Sequence, residues 1–442
     1  MREDAATEYN RLVGADPAAA AEQAAWMAEQ FGRNGLTFDG QPMRSFLRPH
    51  FVTRAQWDTL RDGARRLVEL AARVARRAFD GDTERLCAFL GTPADEAEWV
   101  ALDPGEPDVV LSRVDAFVTP HGPRFIEINS DAPAGFGYGD RMAAVFEGLP
   151  VFRAFAARHP VSYRPSAHAL VQAVRGAAGS EAPLIAIVDW SDVRTRGDQE
   201  ILREAFERAG LRCVLADPRH MEVREGRLWA DDAAVDVVYR RGVLSELLER
   251  ADEVRHFLRA YREPLAVFVN SLRCRLSEDK AFFALLTDEA FAHLMTPAER
   301  ELVIRGVPWT RRLEERRTVR AGREVDLVPH VVAERESLVL KPAHGYGGRS
   351  VYVGSETSAS VWDDAVRSAL GEPWVVQERV TIPEEEFPLV EEGSLRFPRL
   401  KVNANPFYVA GAEVGAVTRA SRDSVINVSA GGGSVPTFVV DG

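Results

Sequence analysis

Apolar residues recur at helical spacing through the first ninety positions, then at alternate positions or in short continuous runs. The first ninety residues therefore predict helices. Asp16-Pro17 opens an alanine-rich helix, with proline at a tolerated first-turn position. Thr53 with Gln56 forms a capping box ahead of a long amphipathic run through Arg77. Strand patterns begin near Val109 with VVLSRVDAFVTP and HGPRFIEINS, followed by a glycine-rich stretch, DAPAGFGYGD, and a helix to about Arg158. A connection containing Pro, Ser and Gly around Pro160–Pro183 marks a first boundary. Beyond it a βαβ-like unit is expected: LIAIVDW as a buried strand, Gln199–Ala209 as a helix ending at Gly210, and CVLADP as a second strand. MEVREG and RLWADD read as a hairpin, and VDVVYRRG as another buried strand. From about Pro264 the pattern is mixed. It holds a capping box at Thr296 and Glu299, strands in SLVLKP, RSVYVG and WVVQERV, and a β-rich tail through the turn Ala430–Gly433. The whole is a mixed α/β (α+β) chain in three units: 1–165, 181–263 and 264–442.

Composition narrows the function. The 442 residues are 46% apolar and 28% charged, enough for two or three packed subdomains with a well-solvated surface. A net charge of -12 speaks against a nucleic-acid partner, because phosphate binding draws on clustered Lys and Arg. The pairs Arg311-Arg312 and Arg316-Arg317 are interrupted by acids and read as solvated helix faces. Cys87, Cys213 and Cys274 form no CxxC pair, which argues against a disulfide framework or zinc cluster and fits a reducing compartment. No apolar run approaches the ~20 residues of a membrane span, and MREDAATEYN is too acidic for a signal peptide, so a cytoplasmic protein is expected. The motifs GxGxxG, GxSxG and HExxH are absent from the places where they would matter.

The most informative segment is Leu111–Ser130. Strand side chains alternate faces. Ser112, Val114, Ala116 and Val118 share one face of the first strand, and Arg113 and Asp115 the other. In the second strand Ile126 and Ile128 face one way, Glu127 and Asn129 the other. With Pro120-His121-Gly122 as a three-residue loop, Asp115 stands opposite Glu127 and Arg113 opposite Asn129. Two carboxylates ~5 Å apart repel by about 3 kcal/mol at an effective dielectric near 20, so something cationic belongs between them. Asp, Glu and Asn oxygens suit Mg²⁺. The alternative is a wet hairpin face whose acids Arg113 neutralises.

Four further segments carry polar groups inside apolar patterns. In SLVLKPAHGYGGRSVYVG a buried strand delivers Lys341 into a turn containing Gly345, Gly347 and Gly348. The amides of such a turn can line up on phosphate oxygens, though a glycine-rich turn is often only a turn. No GK[ST] follows, so it is not a Walker A loop. Lys280 begins a helix in LSEDKAFFALL, where a surface role is the default. Gln377 and Glu378 end the strand WVVQERV at what reads as a hinge between lobes, against the alternative of a core strand with a polar exit. Arg419 in GAVTRAS and Asn427 in INVSAGGG serve either a ligand or a strand edge.

Taken in order, these segments resemble the circularly permuted ATP-grasp ligases of the glutathionylspermidine synthetase and glutathione synthetase-like family. RVDAFVTPHGPRFIEINSDAPAG is similar to that family's metal hairpin. The resemblance implies Arg113 as stabiliser of the transition state, Asp115, Glu127 and Asn129 as magnesium ligands, and Ser130 as a substrate contact. SEDKAFFALL and VLKPAHGYGGRSV resemble the segments carrying two nucleotide lysines and a glycine-rich lid, which gives Lys280, Lys341, Gly345, Gly347 and Gly348. WVVQERV resembles the adenine hinge, with Gln377 and Glu378, and GAVTRASRDSVINVSAGG the closing segment, with Arg419. VDVVYRRG looks like the substrate-domain strand, which makes Arg241 a substrate contact. The implied protein binds ATP and Mg²⁺ and joins a small-molecule carboxylate to an amine through an acyl phosphate. Its expected units are a helical N-terminus with the metal hairpin (1–165), a Rossmann-like substrate subdomain (181–263) and the nucleotide-binding lobes (264–442). A small-molecule kinase and a nucleotide-binding pseudoenzyme are the alternatives. The set Arg113, Asp115, Glu127, Asn129, Lys280 and Lys341 argues against the pseudoenzyme, because drift removes such residues.

Overall fold

Three larger sheets organise the chain in the computed structural model, which describes residues 4–345, 350–426 and 431–441. The first is eight-stranded and brings together distant parts of the sequence. Its main path runs His50–Thr53, Gly433–Val440, Ala416–Ser421, Arg399–Val409, Leu111–Thr119, Gly122–Asn129. Helix Arg54–Ala75 covers one face, started by the capping box of Thr53 and Gln56. Leu60, Ala64, Leu67 and Ala71 of that helix pack on Val114, Ala116, Phe125 and Ile128 of the hairpin. Gly63 permits this approach: a Cβ there would come within 2.8 Å of the Phe125 ring.

The second sheet is four-stranded and wholly parallel, in the order Val267–Val269, Val237–Arg240, Leu184–Val188, Arg212–Ala216. Alternation along Leu184–Val188 sends Ile185 and Ile187 towards helices Ala167–Ala178 and Arg196–Arg208. Ala186 and Val188 go to the other side, towards Phe257 and Leu258. The helix that follows the first strand begins at Arg196, a few residues before the predicted start. Met221–Arg224 and Arg227–Ala230 form the expected hairpin.

The third sheet is antiparallel: Thr310–Arg312, Trp374–Glu378, Leu338–Pro342, Tyr352–Val353. Helices Leu327–Ala333 and Ala359–Ala369 cover it through Leu327, Val331, Trp362 and Val366. The strands of 264–442 are shared among all three larger sheets, Val267–Val269 lying in the parallel one, and two small hairpins. One sequence expectation changes here. Arg311 lies buried on a strand, not on a solvated helix face. Its guanidinium donates to Thr318 Oγ1 at 2.6 Å and lies over the Trp309 ring. Among the described residues no helix is long and apolar enough to cross a membrane.

Candidate active site

The hairpin reaches the predicted pairing by an unpredicted route. Its loop is two residues, Pro120-His121, because Thr119 pairs with Gly122, which takes φ +109. A two-residue loop alone would set Asp115 against Ile126. A bulge between Asp115 and Ala116 absorbs one residue and restores Arg113↔Asn129 and Asp115↔Glu127. The residue left over is Ile126. Simple alternation puts Ile126 on one face with Ile128; the bulge gives that face to Phe125, which enters the core, and Ile126 lines the cavity. The Ile126 carbonyl, with no partner in this ladder, accepts from Lys341 Nζ at 3.3 Å.

A cavity of about 1150 Å³ lies where the three sheets converge, and the polar face of the hairpin forms part of its wall. The two acids do stand opposite one another, and cationic side chains meet them there. Arg419 donates to Asp115 and also to Asn403 (2.8 Å) and Asn405 (2.7 Å). Arg113 Nε donates to the same carboxylate at 3.3 Å, and its NH1 to the Ala134 carbonyl at 3.2 Å. Burial would raise the Asp115 carboxyl, but Arg419 and Arg113 hold it below the ordinary carboxylate range. Glu127 pairs with Lys280 at 2.8 Å, and Lys280 Nζ also donates to the Gly345 carbonyl at 2.9 Å. Burial disfavours the Lys280 charge, yet Glu127 beside it raises the ammonium above its usual value.

Lys341 differs. It is buried at 7% exposure, against the partly exposed strand end its position in the sequence implies. Its ammonium donates to Gln377 Oε1 at 2.9 Å, and Gln377 in turn donates to Thr310 Oγ1 at 2.9 Å. Burial pulls Lys341 down to about 8, with Glu127 opposing and Lys280 adding to the fall. The next residue along the cavity wall, Glu378, is engaged by Arg124 at 3.1 Å and by the Trp309 N–H at 3.3 Å.

Asp115, Glu127 and Asn129 offer hard oxygens at one place, and the acids there already draw cations, so the set fits a magnesium ion in its chemistry. Among the described residues no group of three or more His, Cys, Asp or Glu could hold a metal, so the third ligand would have to be the amide.

Other expected contacts have other surroundings. Ser130 is fully buried and does not line the cavity. Its hydroxyl bonds that of Ser112 at 3.1 Å, and its N–H donates to Glu278 at 2.5 Å. Arg241 borders the cavity but pairs at 2.9 Å with buried Asp198. That carboxylate also accepts from the N–H groups of Gly135, Gly137 and Tyr138, where helix Phe136–Gly148 begins. Gly347, Gly348 and Asn427 lie outside the described residues.

Sequence reasoning missed several residues of this cavity. Asp189 follows the parallel strand Leu184–Val188 and lines the far wall, and burial pushes its carboxyl up to about 6. His344 bridges Asp279 (2.6 Å) and the Gly91 carbonyl (2.9 Å), next to the Lys280 helix. Lys401 is the third. A signal for it exists: of 55 Lys and Arg residues only three are Lys, namely Lys280, Lys341 and Lys401, and all three line this cavity.

The architecture has a counterpart among solved structures. The chain is similar in fold to a glutathione synthetase-like effector from Globodera pallida in its apo form. The TM-score is 0.63 at 12% identity, covering 96% of this chain and 98% of that one. A candidate gamma-glutamylcysteine synthetase from Methylobacillus flagellatus KT aligns at TM-score 0.42 and 12% identity, over 87% of this chain and 88% of its own. D-alanyl-alanine synthetase A from Vibrio cholerae O1 biovar eltor aligns at 0.25 and 11%, over 53% and 73%. The fold likeness rests on the first of these. No protein-family model and no curated protein matches the sequence.

Proposed function

We propose that the chain is an ATP-dependent ligase that joins a carboxylate to an amine through an acyl phosphate, built as a circularly permuted ATP-grasp enzyme. The observation that carries this reading is the meeting of Asp115 and Glu127 with Lys280 and Lys341 in one large cavity. In sequence order the acids precede both lysines, as the permuted arrangement requires. Lys280 and Lys341 bind and orient the triphosphate of ATP. The turn at Gly345, its carbonyl already held by Lys280, lies beside them. Asp115, Glu127 and Asn129 hold a magnesium ion, which when bound offsets charge on the transferred phosphoryl group. The substrate carboxylate attacks the γ-phosphorus and ADP leaves. An amine then attacks the acyl carbon and phosphate leaves. Arg113, on the same face as Asp115, offers its guanidinium to the oxyanion formed in that second step. Water must be kept from the acyl phosphate, which it would otherwise hydrolyse.

ADP release measured with and without a pool of amino acids and polyamines tests the reading. Release that needs both an acid and an amine is expected. Release with an acid or alcohol alone, leaving a phosphorylated product, would identify a kinase, and ATP binding without turnover a pseudoenzyme.

A further inference from the structure

The use of lysine in this chain is too selective to be a matter of solubility. Every surface cation among the described residues is arginine or histidine, and the three lysines all face one cavity. Two are assigned above. The third, Lys401, lies on strand Arg399–Val409 of the eight-stranded sheet, across from Glu384 on one side and Ser421 on the other. Asn403, two residues along, shares its face and accepts from Arg419, the residue that holds Asp115. One pleat repeat, roughly 7 Å, thus separates Lys401 from the polar cluster of the hairpin.

Its present partners are replaceable. The Lys401 ammonium donates to Ser424 and lies 3.5 Å from Glu356, whose side chain is 53% exposed. Glu356 follows Tyr352–Val353 of the antiparallel sheet, so this contact spans the gap between two sheets. An exposed ion pair of this kind contributes little to stability, and a doubly charged oxyanion outcompetes a single solvated carboxylate for the ammonium.

We infer that Lys401 is a third cationic contact to the phosphates of a nucleotide bound in this cavity, exchanging Glu356 for a phosphate oxygen. The inference rests on the nucleotide reading above and adds a residue to it. Arginine would not serve equally, because a guanidinium fork is committed to planar pairing, whereas an ammonium swings between acceptors as a point charge.

Calorimetric titration of MgATP, MgADP and adenosine into the full chain tests it. Lys401→Gln should weaken ATP and ADP binding roughly ten- to a hundredfold, the loss of one charged hydrogen bond, and leave adenosine unchanged. Glu356→Gln should bind ATP as tightly as the parent or more tightly, since it frees the ammonium. If Lys401 is only a clasp between sheets, Glu356→Gln weakens ATP as much as Lys401→Gln does, and the inference falls. Reductive methylation of the unmutated protein, read peptide by peptide by mass spectrometry, is independent of any folding defect. Lys401, the most exposed of the three lysines, should react freely, and ATP but not adenosine should shield it. Tight ATP binding with Lys401 still fully reactive would overturn the inference alone. Absence of ATP binding by the unmutated chain would overturn the nucleotide reading with it.

Discussion

Two sets of acid–base pairs, one buried behind the cavity with only Arg241 reaching its wall and one on the wall itself, behave differently. Asp198 with Arg241, and Asp131 with Arg240, are fully buried pairs whose carboxylates also accept backbone N–H groups: three at the start of a helix for Asp198, and that of Leu244 for Asp131. Asp115 with Arg419, and Glu127 with Lys280, use the same chemistry, but their carboxylates meet side chains converging on the cavity wall. A backbone amide cannot leave its acceptor without breaking local structure, whereas a lysine or arginine can trade one anion for another. The first kind of pair therefore holds the fold, and the second is exchangeable for a ligand.

The largest effect should come from the first kind. Asp198→Ala strands buried Arg241 and uncaps a helix, and should cost about 3–5 kcal/mol, read as a shift in the urea midpoint. A loss under 1 kcal/mol would erase the distinction between the two sets. Glu127→Gln should cost little stability and much activity. Paired with Lys280, Glu127 is not simply repelled by Asp115, so its neutralisation should lower apo stability slightly, within about 1 kcal/mol, by thermal melting. It should lower ADP release at least about a hundredfold, since the site loses a charged ligand. An active Glu127→Gln enzyme would remove the acids from the mechanism.

Lys341 sharpens the comparison further, because stability and binding should move in opposite directions. Unfolded lysine keeps its proton to about pH 10.4, while buried Lys341 releases it near 8. Between those values the unfolded chain binds more protons, so this group makes apo stability rise with pH. Below pH 8 the cost of its buried charge is felt in full. Lys341→Met should stabilise the apo protein by about 1 kcal/mol at pH 7 and remove that rise, while weakening ATP binding. Melting curves at pH 7 and pH 9.5 check the sign. A Lys341→Met protein less stable at both would mean the ammonium is a structural donor to Gln377. The smallest effect belongs to Ser130→Ala, which breaks one buried hydroxyl contact and should cost about 1 kcal/mol or less with the KM for each substrate unchanged. A raised KM would return Ser130 to the substrate site.

Local pattern by itself determined much of this protein. The capping boxes at Thr53 and Thr296, the buried strand Leu184–Val188 and the sharing of one strand face by Arg113 and Asp115 follow from spacing and alternation, which act over a few residues. Only the tertiary structure decided the rest. Whether Ile126 or Phe125 enters the core depended on a bulge, which turns Phe125 towards helix Arg54–Ala75 and leaves the Ile126 carbonyl to Lys341. Arg419 meets Asp115, 304 positions away, only because strand Arg399–Val409 pairs with both of their strands, and no local pattern records that. Lys341 at the end of a buried strand and Lys280 at the start of a helix both read as nucleotide lysines, yet one is desolvated beside Gln377 and the other shares its charge with Glu127. Burial and the neighbours it brings, both products of long-range packing, give the two ammonium groups different chemistry.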